Sequence, residues 1–260
     1  MRALNSAASG MTAQQLKIDT IANNLANVNT TSFKKSRIAF QDLYYQQTRS
    51  AGMAGQGQAS PSSIQVGNGV RAVSVDKVFT PGSYEATGEP LHMAIQGEGF
   101  FQIMDSEGQT LYTRDGNFRT NADGEIVTAE GHRLEPGFSL PPDTRSINIG
   151  GDGLVSVTAG DEFGVTEVGT LELARFGNPA GLEAVGQNSY RATASAGQPT
   201  VSTPGEEGTG NILQGHLEAS NVDVAGELVA MILAQRSYET ASKAITTADE
   251  MLSQANQLKR

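Results

Sequence analysis

The residues that could carry out chemistry are few and lie far apart in the chain. Three histidines, His92, His132 and His216, are scattered, and none has the spacing of a metal-binding motif such as HExxH. The absence of cysteine excludes disulfides, thiolate zinc sites and cysteine nucleophiles. We therefore predict no cofactor and no metal site, and we interpret the histidines as ordinary surface or strand residues.

Three kinds of short motif match catalytic or binding patterns without their context. Ser32 and Lys35 match SxxK, but no SDN or KTG triplet accompanies them. Residues 67–72, GNGVRA, fit GxGxxA, but they follow a Gly- and Ser-rich stretch and precede no predicted helix. The sequences NADG at 121–124 and GGDG at 150–153 lack the alternating oxygen ligands of a calcium loop, so they predict tight β-turns.

The acidic and basic residues restrict the partners of the chain. The net charge of -10 argues against nucleic acid as the main partner, because phosphate binding needs a basic face. Residues 1–40 carry five basic side chains and one acid, a net +4, so the other 220 residues carry -14. The basic cluster Lys34, Lys35 and Arg37 is interpreted as a solvated helix exit or a contact with acidic neighbours. A glycosidase-type carboxylate pair stays open, because it depends on a separation in space.

The composition indicates a thin interior and no membrane insertion. Only 38% of the 260 residues are hydrophobic, 30 are Gly and none is Trp, so one core spanning the whole chain is not expected. The longest apolar run, 228–234, has seven residues, whereas a membrane-spanning helix needs about twenty. The first residues also lack the apolar segment of a cleaved signal peptide.

The elements that must position these residues begin with a helix at the N-terminus. Large apolar residues recur every seven positions, and a second stripe follows three positions later. This pattern predicts a helix over 2–28 whose packing residues are Leu4, Ala7, Met11, Ile18, Ile21, Leu25 and Val28.

A second helix is predicted over 222–257, beginning at a capping-box pattern, Ser220 to Asp223. At 1.5 Å per residue it would be about 54 Å long and would need a partner along its length. Its seven-residue stripes predict the packing residues Val224, Leu228, Met231, Ala234, Tyr238, Ala241, Ile245, Ala248 and Leu252.

Short alternating runs separated by Gly turns fill residues 33–221 and predict β-structure. The predicted fold class is α+β: long N- and C-terminal helices pack as a coiled coil around a central antiparallel β domain with extended β connectors. We predict a helical domain from 1–32 and 222–260, connectors at 33–88 and 201–221, and a β domain at 89–200. The Gly-, Ser- and Gln-rich stretch 45–69 lies in the first connector.

Two readings of the terminal stripes remain open. The helices could pair with each other within one chain. A helix of this length buried against only one partner is marginal. We therefore hypothesise that the ends are loose in the free subunit and become ordered against neighbouring copies.

Both ends of the chain resemble the bacterial flagellar rod and hook axial protein family. The resemblance lies in SGM at 9–11 with IANNLANVNTTSFKKSR at 21–37, and in LEASNVDVAGELVAMILAQRSYETASKAITTADEM at 217–251. The middle is similar to the distal rod branch of that family through VGNGVRAVSV, MAIQGEGFFQI, YTRDGNFRTNADGEIVTAEGHRL and DGLVSVT. The match covers essentially the whole chain.

The resemblance implies a structural subunit without enzymatic activity. Its members are exported unfolded through the flagellar type III apparatus, without a cleaved signal, and polymerise helically in the periplasm into a stiff drive shaft. The shaft transmits torque from motor to hook and encloses the export channel, with the terminal helices as inner tube and the β domain outside. The implied partners are copies of itself, proximal rod proteins, the hook protein, the periplasmic and outer-membrane rings and the export apparatus.

In this family the connector stretch that corresponds to 45–69 is associated with a straight rod. The resemblance therefore implies a stiffening role for Tyr45, Gly52, Gly57, Pro61 and Gly69. A proximal rod or hook subunit of the same family is the alternative. A peptidoglycan hydrolase is the alternative from a different class.

Overall fold

The computed structural model describes residues 2–49, 63–159 and 165–258. These residues form two compact units. Unit 1 takes in the described residues of Met1–Ala26, Ser36–Asp76 and Asp223–Arg260, and unit 2 those of Asn27–Lys35 and Lys77–Val222. Gly52, Gly57 and Pro61, which were predicted as connector residues, lie outside the described residues.

Unit 1 contains a helix from each end of the chain and two pairs of strands. Its elements are α1 (Arg2–Ala26), β1 (Ser36–Asp42), β2 (Gln46–Arg49), β3 (Ile64–Val66), β4 (Val70–Lys77) and α2 (Val224–Leu258). Strand β1 pairs with β4, and β2 pairs with β3 in an antiparallel arrangement. Helix α1 contacts both α2 and β1.

The helix ends differ slightly from the predicted ones, for local reasons. Helix α1 ends at Ala26 rather than at Val28, and a turn closes where the Thr30 N–H donates to the Asn27 carbonyl. Asp223 caps α2, because its Oδ1 accepts a hydrogen bond from the Ala225 N–H at 3.2 Å. The predicted Ser220 cap is therefore wrong.

The prediction of a coiled coil is wrong, although an α+β composition is consistent with the structure. The described residues contain only two α-helices and a large β-rich central region, and they do not show coiled-coil packing. Helix α1 shares its buried side between α2 and β1, whereas a coiled-coil seam faces helices alone. Three predicted seam positions, Val224, Leu228 and Leu252, are exposed.

Unit 2 is built from short strands. They are β5 (Tyr84–Ala86), β6 (Met93–Gln96), β7 (Phe100–Met104), β8 (Thr110–Thr113), β9 (Phe118–Thr120), β10 (Ile126–Thr128), β11 (Arg133–Glu135), β12 (Thr144–Ile149), β13 (Leu154–Ala159), β14 (Val165–Thr170), β15 (Leu173–Arg175), β16 (Glu183–Gly186), β17 (Ser189–Arg191), β18 (Thr200–Ser202), β19 (Asn211–Gln214) and β20 (His216–Glu218). One 3-10 turn spans Pro179–Gly181.

Antiparallel pairing organises unit 2 around β7. The main sheet runs β16-β17-β8-β7-β11-β10-β9, and β15 joins it by pairing with both β7 and β18. A three-stranded sheet runs β12-β13-β14, while β19 pairs with β6 and β20 with β5. In the β7-β8 hairpin Phe101 lies opposite Thr113, and Met104 lies opposite Thr110.

Two apolar clusters form the interior of unit 2. The larger cluster brings together buried aliphatic and aromatic side chains from several sheets, among them Met93, Phe101, Phe118, Val155 and Leu173. The smaller cluster is aromatic, and its rings pack edge to face at centroid distances of 4.8–6.1 Å: Phe79, Phe100, Tyr112, Phe176 and Tyr190. Among the described residues, the buried apolar clusters therefore lie in the β region.

The two predicted tight turns are confirmed. The Gly124 N–H donates to the Asn121 carbonyl at 3.1 Å, and the Gly153 N–H donates to the Gly150 carbonyl at 3.0 Å. Both donors are glycines with positive φ, of 79° and 83°. Within their described residues, α1 and α2 have no apolar stretch of the length required to cross a bilayer.

Candidate subunit-packing surfaces

The histidines do not meet in a common site. Each Nδ1 lies near a different oxygen: 2.8 Å from Thr87 Oγ1 for His92, 3.1 Å from Asp105 Oδ1 for His132, and 2.9 Å from the Gln214 carbonyl for His216. In the part of the chain that the structure describes, no group of three or more His, Cys, Asp or Glu residues could hold a metal ion.

Ser32, from the SxxK match, is a buried structural residue. Its φ of 54° is left-handed, a conformation that costs a side-chain-bearing residue roughly 1–2 kcal/mol. The Ser32 hydroxyl donates to the Arg114 carbonyl at 2.7 Å, which helps to hold this turn. The GxGxxA match at 67–72 runs from a loop into β4, so no helix follows it.

The predicted packing residues of α1 are mostly half-buried. Ile21 is buried, and the positions that lie half-buried in the helix are Leu4, Ala7, Met11, Ile18 and Leu25. Val28 is also half-buried but lies beyond the end of α1, in unit 2. Their role between subunits stays a prediction.

Asn24 is a buried polar residue of α1 that the sequence did not single out. Its Oδ1 accepts from the Ser36 N–H at 2.8 Å, and its Nδ2 donates to the Ser36 carbonyl at 2.9 Å. Nδ2 also lies 3.4 Å from Glu227 Oε2 in α2. Asn24 thus ties the start of β1 to α1 through a two-way amide contact, which apolar periodicity cannot indicate.

One side of α2 is largely covered within unit 1. Six residues form this side, which we call the inner stripe: Met231, Ala234, Tyr238, Ala241, Ile245 and Ala248. At about 100° per residue, they lie within about 100° of one another around the helix. Ala234 is buried and the others are half-buried. Because α2 contacts α1, we interpret this inner stripe as the side that faces α1.

A second apolar stripe lies on the other side of α2. Leu228, Val229, Ile232 and Leu233 are 44–58% exposed, and at about 100° per residue they fall opposite the inner stripe. We call these four residues the outer stripe. Of the four, the sequence prediction included Leu228 alone. The seven-residue apolar run 228–234 was the signal, because seven consecutive residues cover every side of a helix.

The two connector residues that the structure describes differ in their surroundings. Tyr45 is exposed. Gly69 has a φ of 112°, and a Cβ at this position would lie 2.1 Å from Ser9 Oγ of α1. Gly69 is therefore required for the close approach of this loop to α1.

An ionic cluster is buried in unit 2. Contact with acidic neighbours was one of the two interpretations of the basic residues 34–37, and it is confirmed for Lys34, but the sequence indicated neither the burial nor the partner. The Lys34 and Glu218 side chains are fully buried, and Lys34 Nζ donates to Glu218 Oε1 at 2.5 Å. Arg114, 3% exposed, places Nη1 3.7 Å from Glu218 Oε2. Burial lowers the pKa of Lys34 despite the opposing attraction of Glu218. A buried ion pair is by itself weak evidence for stability, because the cost of removing two ions from water offsets their attraction.

Comparison with known families places three matches along the chain. The model of the flagella basal body rod protein matches residues 4–34. The model of the flagellar hook protein FlgE/F/G D1 domain matches residues 94–157. The model of the flagellar basal body rod FlgEFG protein C-terminal region matches residues 213–258.

Individual relatives are similar over nearly the whole chain. The chain is 46% identical to the flagellar basal-body rod protein FlgG of Caulobacter vibrioides, over 100% of both proteins. It is 47% identical to FlgG of Borreliella burgdorferi, over 100% of this chain and 99% of the relative. Identity with the rod protein FlgF of Caulobacter vibrioides is lower, 34% over 90% of this chain and 88% of the relative.

Proposed function

Because this chain belongs to the flagellar basal-body rod protein family, it is a structural component of the flagellar basal body, and we propose that copies of it assemble helically into the distal rod. In this proposal the rod is a stiff drive shaft that transmits torque from motor to hook and encloses the export channel. Family membership implies assembly with other rod and hook proteins of the basal body. Contacts with the proximal rod, the hook protein, the rings and the export apparatus belong to the proposal.

The greater identity to FlgG than to FlgF supports the distal rod over the FlgF type of rod subunit. The proposal includes no enzymatic step. Release of muropeptides from peptidoglycan by the purified protein would contradict that part of it.

The outer stripe of α2 is the observation that carries the proposal of self-assembly. Leu228, Val229, Ile232 and Leu233 form an exposed apolar surface on a helix that already covers its other side. Covering apolar area is favourable by about 25 cal/mol per Å². A neighbouring copy of the same chain is the partner that a homopolymer supplies.

The predicted packing residues complete this proposed interface. Val224 and Leu252 are exposed at the two ends of α2, and the half-buried residues of both helices retain surface that a neighbour can contact. We propose that the terminal helices form the inner tube of the rod and that the β domain, predicted at 89–200, lies outside.

The proposal is tested by adding charge to the outer stripe. Ile232→Asp should abolish filament formation by the purified full-length protein in negative-stain electron microscopy, because an unpaired carboxylate would be buried between copies. The monomer should keep its helical circular dichroism and its thermal midpoint, since Ile232 is 52% exposed. In cells lacking the native protein, the variant should not restore rods.

Gln235→Asp is the matched control, because Gln235 is an exposed polar residue one turn further along α2. It should polymerise normally. Met231→Asp lies on the inner stripe and should lower the stability of the monomer itself. Normal filaments formed by Ile232→Asp would contradict the proposed interface.

A further inference from the structure

Unit 2 consists of two pieces of chain and therefore has four ends. Its pieces are Asn27–Lys35 and Lys77–Val222. Three of the four ends, at Lys35, Lys77 and Val222, lie beside one another, because hydrogen bonds within unit 2 connect them. These contacts belong to neither apolar cluster and were not indicated by any sequence motif.

The side chain of Asn221 connects the three ends directly. Its Oδ1 accepts from the Lys35 N–H at 2.8 Å, and its Nδ2 donates to the Val78 carbonyl at 2.7 Å and to the Thr80 carbonyl at 3.1 Å. The Val78 N–H donates in turn to the Lys35 carbonyl at 2.9 Å, and the Asn221 N–H donates to the Phe33 carbonyl at 3.3 Å. One amide group thus joins all three pieces of backbone.

The ionic cluster contacts the same backbone as the Asn221 amide. Lys34 Nζ donates to the Thr80 carbonyl at 3.0 Å, the same oxygen that Asn221 contacts, as well as to Glu218 Oε1. Glu218 also accepts from the Gly82 N–H at 2.9 Å through Oε1 and from the Ser32 N–H at 2.7 Å through its carbonyl. Asn221 and the cluster therefore share a backbone acceptor and two chain segments.

Burial is a physical reason to expect that the two sets of contacts depend on each other. Lys34 and Glu218 have no exposed side-chain surface, so neither charge can exchange its protein partner for water without opening the segment that carries it. Lys34 adjoins Lys35, and Glu218 lies three residues before Asn221. A displacement at either set is therefore expected to displace the other, as in other buried polar networks.

We propose that Asn221 and the ionic cluster act as one junction whose members are positioning residues: together they hold three ends of unit 2 in a fixed arrangement. The role of the junction rests on the proposed rod function, because a subunit that transmits torque needs the segment ends at Lys35, Lys77 and Val222 to keep their positions under load. The alternative is a set of separate local hydrogen bonds.

Amide hydrogen exchange on the full-length, unpolymerised protein distinguishes the two. In Asn221→Ala, the Lys35 amide loses its acceptor and should exchange at least tenfold faster. If the junction acts as one, the Ser32 and Gly82 amides, which bond Glu218 and not Asn221, should also exchange at least tenfold faster. The amides of β7 and β8 should change less than twofold.

The reciprocal variant, Glu218→Gln, should accelerate exchange at Lys35 and Val78, which Glu218 does not contact. Asn178→Ala is the matched control, because Asn178 Nδ2 makes one hydrogen bond, to the Ser195 carbonyl at 3.0 Å, elsewhere in unit 2. It should leave all four reporter amides unchanged. If Glu218→Gln does not fold, Asn221→Ala alone still decides the outcome.

Acceleration confined to the Lys35 amide in Asn221→Ala would overturn the proposal, since the contacts would then be independent. This result is separable from a failure of the proposed rod function. Exchange is measured on the monomer, whereas rod formation is measured with the Ile232→Asp variant. Independent exchange together with normal rods would contradict only the proposed junction. Coupled exchange in a protein that forms no rods would contradict only the proposed rod function.

Discussion

At the scale of single residues, Glu218 is the centre of charge balance in unit 2. Its one carboxylate faces two cations, Lys34 and Arg114, and all three side chains are buried. Removing Glu218 would leave two buried cations that form no other ion pair within the described part of the chain. Removing the Lys34 charge would leave Arg114 and Glu218 as a balanced pair. The atoms that Lys34 contacts would keep other donors, namely the Gly82 N–H and Asn221 Nδ2.

We therefore expect Glu218→Gln to destabilise the protein more than Lys34→Met does. Glu218→Gln removes the charge that both cations share, so it should lower the free energy of unfolding by about 3–5 kcal/mol. Lys34→Met should lower it by clearly less. Chemical denaturation of the unpolymerised protein measures both. Glu183→Gln, in the exposed pair with Arg191, is the control and should change it by no more than about 1 kcal/mol. A larger loss for Lys34→Met would contradict this charge balance.

At the scale of elements, α2 is too long to be covered by α1. The helices have 35 and 25 residues, and ten residues at 1.5 Å leave about 15 Å of α2 without α1 beside it. Met251 and Leu252 are exposed near its end, at 60% and 40%. The end of α2 therefore has little packing within the described part of unit 1.

We expect backbone amides of residues 250–257 to exchange rapidly in a dilute monomer and to become protected in the filament, because a short unpacked helix end is marginal in water. Hydrogen exchange measured on both states tests this expectation. The amides around Ala234, which is buried, provide the internal control and should be protected in both. Strong protection of 250–257 in the monomer would contradict the hypothesis of ordering against neighbouring copies, which the covered inner stripe confines to this end of α2.

At the scale of the whole molecule, the connector is the segment proposed to decide between a stiff and a flexible polymer. In unit 1, β2 and β3 bring the flanks of the connector together in an antiparallel pair. Gly69 at its end approaches Ser9 of α1 closely. We propose that the connector, including Tyr45, Gly52, Gly57, Pro61 and Gly69, adds contacts between subunits that prevent neighbours from sliding.

Deletion of residues 48–66 should therefore give polymers that are curved or flexible instead of straight, as measured by curvature in electron micrographs. A chain in which these residues are replaced by a Gly/Ser sequence of equal length is the matched control for spacing. It should also lose straightness if side-chain contacts matter. Straight polymers from the deletion would count against a stiffening role.

Much of the architecture follows from local sequence patterns. The seven-residue apolar spacing indicated a helix at each end, and Gly-rich turns between alternating runs indicated β-structure; both signals depend on residues close together in the chain. The absence of cysteine likewise excluded disulfides and thiolate metal sites from the composition alone. The coiled coil was wrong, because spacing shows which residues share a side of a helix but not which element covers that side.

Only the tertiary structure decided which surfaces are free and which charges are buried. It covered the inner stripe of α2, left the outer stripe exposed, and gave α1 both a helix and a strand as neighbours. It also brought Lys34 to Glu218 across 184 positions of sequence. The sequence by itself determined the terminal helices, the β-rich middle and the family resemblance, because these depend on local periodicity and motifs. The partner of each side chain was decided by contacts between distant segments, and no local pattern records them.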